Sequence, residues 1–579
     1  MRDLPASVLD APLPGPDRMT RLQRLLACCA FASIAGCPGS DPRVEAVDAA
    51  DTLVASDTLP ASDTLPAPDT LPAPDTLPAP DTLPAPDTAA DATPDVADTA
   101  DASDVADVAD ASCDSPYIYL KDKQFWLGDE PFVPISVNFI FDLRHTPEDE
   151  YYIAPHHANC DTPAGCCNDA PSCLAAAREQ LAQVKAMGFN SLRIVGLAVI
   201  PDEDRKLVLD CAHQWPTWLD YCPKDAMLEA WPPDPRALDL IADAVALVKE
   251  AGLRGILLAG HHDVDAADVR DAYARYLEAL ATRFKDEPTL WAYDLTNEPV
   301  YEFANKDISK VDANAIGRLW YDAVRAGSPR HMVTMGLAEI GTVRHWDPGA
   351  LPLDFTSFHI YGSGTWNDAV RDYLSTFLTW AGREPYPNMV GEIGVSVEDG
   401  GPSEYQQQAF AQHALDTAWA CGSMGLQWWL YRDVHWGPPG EHFGLVRWDG
   451  SERPAAAPFK AFYPITPRPP CAAPEYLGSA PDATIHTAGR LVREDGTPVA
   501  NGFIRGQKCF TGGSDWTISA ADGTFDLRST SLISELEVTA SGLSVEKVAI
   551  VCNLTTPGDV TLKALPLDMA TSTPSSCPE

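Results

Sequence analysis

Residues 291–301 read WAYDLTNEPVY. An apolar run of strand length ends on Asn297 and Glu298, and Pro299 behind them cannot extend a β-ladder. A carboxylate so placed is either the start of a surface turn or part of a site, and its neighbours decide which. Similar runs recur at FVPISVNF (132–139), NSLRIVG (190–196), LRGILLAG (253–260), HMVTMG (331–336), FTSFHIYG (355–362), NMVGEIG (388–394) and MGLQWWLY (424–431). Between them lie amphipathic stretches such as CLAAAREQLAQVKAMG and ALDLIADAVALVKEAG, apolar at i, i+3, i+4 and closing on glycine. Eight strands alternating with helices predict a (β/α)8 TIM barrel, with an open doubly wound sheet as the alternative. Upstream, IYLKDKQFWLGDEPF reads as a hairpin leading into the first barrel strand.

A barrel gathers the C-terminal ends of its strands into one ring, and function sits there. Those ends carry Arg193, His261 and His262, Asn297 and Glu298, His359 and Tyr361, Glu392, and Trp428 and Trp429. Such groups cost burial energy unless a site uses them. Two carboxylates, Glu298 and Glu392, suit glycosidic bond cleavage. Separated by roughly 5 to 5.5 Å they act as acid/base and nucleophile with retention, and a gap of about 6.5 to 9.5 Å admits a water and gives inversion. Arg193 is expected to hold Glu392 ionised, since a neighbouring cation lowers a carboxylate pKa. Consecutive strand residues face opposite ways, so one of Trp428 and Trp429, and one of His261 and His262, turns inward. His261 is the expected member of its pair.

In this order, NSLRI, LTNEP, FHIYG, VGEIG and QWWLY resemble glycoside hydrolase clan A, most closely family 5, the cellulase and β-mannanase family; the resemblance spans about residues 117–465. It implies a retaining mechanism with Glu298 as acid/base and Glu392 as nucleophile. It further implies Asn297 on the sugar 2-hydroxyl, Arg193 and Tyr361 positioning the nucleophile, His359 beside the acid/base, and Trp429 under the sugar. The run WLYRD (429–433) is similar to the W-x-Y-x-D of mannanases, and FHIY followed by GSGTW to their sixth strand. The loop Asp142–Pro171 is long and cysteine-rich, so subsites are not carried over there.

Outside the barrel, the chain has 41 Lys and Arg against 83 Asp and Glu, a net −42, which excludes nucleic acid as a partner. MTRLQRLLACCAFASIAGC (19–37) has the layout of a secretory signal, and its end resembles a bacterial lipobox with Cys37 as the lipidated residue. Met1–Arg18 fits no signal region, so translation is expected to start at Met19. From Asp51 the chain repeats DTLPAP-like hexads. Val44–Ser112 carries fifteen Asp, one Glu and no Lys, Arg or aromatic residue, so residues 38–114 are expected to be a disordered acidic linker. Twelve of the fifteen cysteines remain once Cys28, Cys29 and Cys37 are set aside, an even number suited to disulfides in an oxidising compartment. Local bridges are expected among Cys160, Cys166, Cys167 and Cys173 and between Cys211 and Cys222. Zinc at the first cluster, with His156 and His157, is the alternative.

After the barrel (115–466) and a Pro-rich linker (467–482), residues 483–579 read as a small β-sandwich. GRLVREDGTPVANGFI with ISAADGTFDL resembles the carboxypeptidase regulatory-like domain. Cys509–Cys552 and Cys471–Cys577 are its expected bridges, and Trp516 with Phe510 is a possible sugar-binding face beside a packing role. The expectation is therefore a monomeric, lipid-anchored surface protein, with a periplasmic place as the alternative. It would cleave β-1,4-mannan or β-1,4-glucan internally, without metal or organic cofactor. A transglycosylase, an exo-acting β-glycosidase and a catalytically inactive carbohydrate-binding lipoprotein are the alternatives.

Overall fold

A computed structural model describes residues 114–567 except 147–149, 157–166, 168, 210–227, 233, 303–306, 362–367, 399–400, 435–441 and 553. The signal segment, Cys37, the acidic repeat, GSGTW, His157, and Cys160, Cys166, Cys211, Cys222 and Cys577 lie outside the described residues.

Eight parallel strands close into a barrel: β1 (Ile135–His145), β2 (Ser191–Val195), β3 (Arg254–Leu258), β4 (Leu290–Asn297), β5 (Met332–Ala338), β6 (Thr356–His359), β7 (Asn388–Ile393) and β8 (Leu426–Trp428). Each pairs with the next, and β8 returns to β1 with Leu426 opposite Ile135. The helices α1 (Ala170–Ala186), α2 (Pro235–Glu250), α3 (Arg270–Phe284), α4 (Lys310–Gly327), α5 (Asp368–Gly382) and α6 (Glu404–Ala420) lie between strands, with a short α7 (Ala456–Ala461) after β8. Local chemistry sets their ends. Asp169 and Ser172 form a capping box at the start of α1, and Ser403 and Gln406 do so for α6. Gly188 and Gly252, at φ +93° and +66°, take the left-handed turn after α1 and α2.

The strands are buried on both faces, as a parallel sheet inside a helical ring requires. The amino-terminal three-stranded sheet, Ile118–Phe132, closes the bottom of the barrel. There Ile118, Leu120 and Phe125 pack with Ile256, Trp291, Met332, Phe355, Met389 and Met424 at the strand beginnings.

No α-helix lies between β5 and β6; a 3₁₀ turn, Ile340–Arg344, and a loop take its place. The carboxy-terminal sandwich packs at this gap. Its strands are β9 (Ile485–Arg493), β10 (Phe503–Lys508), β11 (Ser514–Ile518), β12 (Thr524–Ser529), β13 (Ile533–Thr539), β14 (Glu546–Ala549) and β15 (Gly558–Leu562). They form sheets β12-β9-β15 and β11-β10-β13-β14 around Leu491, Ile504, Leu527, Leu536 and Val538. Phe503 and Ile518 join the barrel's core instead, and Trp516 stands edge-on to Tyr373 of α5, so it is no free sugar platform. Phe510, by contrast, is exposed.

Disulfides join Cys167–Cys173, Cys421–Cys471 and Cys509–Cys552 and suggest an extracytoplasmic compartment. The expected Cys471–Cys577 pairing is corrected: Cys471 binds Cys421 just past α6 and so ties the inter-domain segment to the barrel. That segment is not a free linker. The Arg468 guanidinium sits 3.9 Å from the Trp419 ring centre, and Leu477 accepts a hydrogen bond from Ile518 N. The zinc reading fails for Cys167 and Cys173, whose sulfurs are spent on each other, while His156 meets Asp142 at 2.8 Å.

Candidate active site

The strand order brings most of the predicted residues together at the carboxy-terminal mouth. Arg193, on β2, is its buried centre, 1% exposed. Its Nε donates to Asp294 Oδ2 at 2.9 Å, Nη2 to Asn297 Oδ1 at 3.0 Å and Nη1 to Asn138 Oδ1 at 3.2 Å; Nη1 also bonds Glu392 Oε1. Tyr361 donates to the other Glu392 oxygen at 3.0 Å. Both oxygens of Glu392 are thus oriented by donors.

His359, fully buried, lies between the two glutamates. Its Nδ1 is 2.8 Å from Glu298 Oε1 and 3.5 Å from Glu392 Oε2. One oxygen of each glutamate and one His359 nitrogen lie within 4.8 Å of one another. Donors at such spacing can also ligate a cation. Here Arg193 and Tyr361 already engage both Glu392 oxygens, and the fixed charge of Arg193 opposes a second positive ion.

Two glycines make room for the imidazole. A Cβ on Gly336 of β5 would stand 2.6 Å from His359 Nε2, and one on Gly391 of β7 would stand 3.2 Å from His359 Cδ2 and collide with Ser357 Oγ. Glu298 follows β4 with φ +34°, a sparsely populated region for a non-glycine residue, and its N–H donates to Gly336 O at 2.9 Å. Pro299 opens the short helical turn Pro299–Glu302. The Asn-Glu-Pro run thus ends a strand and holds a carboxylate over the barrel, and is not a surface turn.

Burial governs the protonation equilibria. It pushes the Glu392 carboxyl up, and His359, Arg193 and Tyr361, pulling the other way, do not offset it. Arg193 lowers this carboxyl as expected, but desolvation outweighs the cation and the net direction is upward. Burial likewise lowers His359 to about 4, so the imidazole is neutral near pH 7 and adds no positive charge beside Glu298. For Arg193 burial opposes the charge, yet Asp294 and Glu392 outweigh it and the pKa stands above its usual value.

Of the histidine pair, His261 is half-buried and His262 exposed with φ +33°; their rings meet at 4.0 Å, beyond the end of β3. Trp428 is fully buried against Phe410 and Phe459 on the helical side, and Trp429, half-buried, turns to the apolar cluster at the mouth with Ile140, Val195 and Leu258. Further along WLYRD, Tyr431 donates to Gln183 Oε1 at 2.7 Å and Asp433 pairs with Arg453, so both are structural.

Sequence reasoning missed Asp294 and Asn138. Asp294 is fully buried and also accepts from Gly336 N at 2.9 Å; Asn138 Nδ2 donates to Trp428 O at 3.2 Å. The available signal was a polar residue inside an otherwise apolar strand, in WAYDLTN and FVPISVNF.

Residues 164–431 match the family model Cellulase (glycosyl hydrolase family 5). Mannan endo-1,4-beta-mannosidase 3 from Oryza sativa subsp. japonica is 24% identical, over 29% of this chain and 43% of its own length, so the chain spans less than half of that relative. Among solved structures, GH5_18 from Streptomyces cattleya in complex with GlcNAc is similar at 19% identity and TM-score 0.39, covering 50% of this chain and 74% of that one. The β-glucuronidase from Ruminococcus gnavus in complex with D-glucuronic acid is similar at 15% identity and TM-score 0.39, covering 59% and 51%. This part of the barrel is thus similar to glycoside hydrolase family 5, and carbohydrate is the substrate that the similarity implies.

Proposed function

We propose that this domain cleaves β-1,4-linked polysaccharide internally and with retention, mannan ahead of glucan. Glu392 attacks the anomeric carbon and Glu298 protonates the departing oxygen. A water, deprotonated by Glu298, then releases the glycosyl group from Glu392. The observation that carries this reading is the pair of carboxylates at the ends of β4 and β7, with one oxygen of each within 4.8 Å of the other. So close an approach of the two carboxylates favours the roughly 5 to 5.5 Å spacing of retaining enzymes over the wider gap of inverting ones.

Supporting residues fall into place around this pair. Arg193 and Tyr361 aim the Glu392 oxygens. Asn297, held by Arg193, offers its amide to the sugar 2-hydroxyl, with His261 and Trp429 lining the same mouth. The neutral imidazole of His359 lets Glu298 carry a proton. Mannan is favoured by the WLYRD run and by the similarity to the rice mannan endo-1,4-beta-mannosidase. The chain is placed outside the cytoplasm as a monomer, held to a membrane through Cys37.

Reducing-sugar release from mannan, glucomannan, carboxymethyl cellulose, xylan and laminarin tests the proposal, using the chain from Ser112 onward beside its Glu298→Ala and Glu392→Ala variants. Activity on a β-1,4-mannan or β-1,4-glucan, lost in both variants, is expected. Full activity in Glu392→Ala, or release from laminarin alone, would overturn it.

A further inference from the structure

We propose that Tyr301 and Glu339 form a binding subsite for the sugar unit on the leaving-group side of the cleaved bond. The inference rests on Glu298 being the proton donor, because a group protonated by Glu298 departs along the side of the mouth that Glu298 occupies.

Tyr301 is on the turn that follows Glu298, and its N–H donates to Glu298 O at 2.8 Å. Tyr301 is 48% exposed, while its hydroxyl bonds the Glu339 carboxylate. An open aromatic face with an anchored polar end, next to a proton donor, suits the apolar face of a sugar ring. Glu339 directly follows β5, the strand beside β4, and its N–H donates to His359 O at 3.3 Å. The backbone there has φ +51° and ψ 158°, a conformation left almost entirely to glycine. A glutamate is held where glycine would fit better, and its carboxylate is the acceptor that a sugar hydroxyl needs.

The support behind Glu339 comes from the sandwich. The next turn, Ile340–Arg344, packs against it: a Cβ on Gly341 would stand 3.5 Å from Phe503 Cζ, and Arg344 pairs with Glu537 at 2.6 Å. The sandwich fills the place of the missing fifth helix and braces this rim.

The test compares Tyr301→Ala and Glu339→Gly with the parent on mannopentaose and cellopentaose, and on 4-nitrophenyl β-mannobioside and β-cellobioside. The aryl glycosides place no sugar on the leaving-group side. Glu339→Gly relieves the backbone while deleting the carboxylate, so its melting temperature should equal or exceed the parent's. On the pentaose that the parent cleaves, kcat/KM should fall about tenfold or more in each variant. On the aryl glycoside it should stay within about twofold. Equal losses on both substrates, or none on the pentaose, would overturn the subsite. A parent that turns over neither series, or that keeps full activity on the pentaose as Glu298→Ala, would instead remove the proton-donor reading and the subsite with it.

Discussion

At the residue scale, the site is a buried charge network with Arg193 at its hub. The guanidinium faces Asp294 and Glu392, all nearly excluded from water. Breaking a buried pair by deleting one partner strands the other, so Asp294→Ala should lose about 3 to 5 kcal/mol in urea unfolding. Its activity should fall as well, because Arg193 would no longer be held. The pH dependence follows from Glu392. A nucleophile must be ionised, and burial raises this carboxyl, so kcat/KM should rise with pH along an acid limb lying above the ordinary glutamate value of about 4.3. Replacing Arg193 with Met removes a lowering influence and should move that limb to higher pH; a limb at the ordinary value in both proteins would contradict the assignment. Glu298→Gln should lose roughly 10² to 10⁴ in rate on sugar leaving groups and less on 4-nitrophenyl glycosides, which depart without a proton. Motif order marked Arg193, Glu298 and Glu392. It could not show that desolvation beats the cation at Glu392, because burial depth belongs to the assembled barrel.

At the element scale, the eight strands were legible because two-sided burial writes each one as a short apolar run. The alternation of Trp428 and Trp429 followed from the same pleat. Less legible was the fit between strands. Gly336 and Gly391 sit in runs that any small residue would suit, yet each borders the His359 ring. Gly336→Ala should cost about 1 to 3 kcal/mol by overpacking and should displace His359 from Glu298; denaturant unfolding together with the pH profile would show both. The absent helix after β5 had no positive signature in the sequence. Its place is taken by contacts from residues some two hundred positions away.

At the scale of the whole molecule, barrel and sandwich share a buried polar joint. Lys310 Nζ, 1% exposed, bonds Asp347 Oδ2 at 3.0 Å, Ala540 O at 2.8 Å and Leu543 O at 2.9 Å, and Asp347 accepts from Gly542 N and Ser541 Oγ. Burial lowers the Lys310 pKa although Asp347 opposes it. Asp347→Ala should therefore cost about 3 to 5 kcal/mol, with the sandwich and barrel signals melting apart. A single unchanged transition would show the joint to be dispensable. The sandwich could be recognised from its turns and alternation, but this docking could not, since it joins residues from distant parts of the chain. The central claim is double displacement on Glu392 with Glu298 as its partner. Its most direct test follows by ¹H NMR the anomer first released from mannopentaose and cellopentaose. The account predicts that the new reducing end appears as β and mutarotates towards α; α appearing first would contradict it.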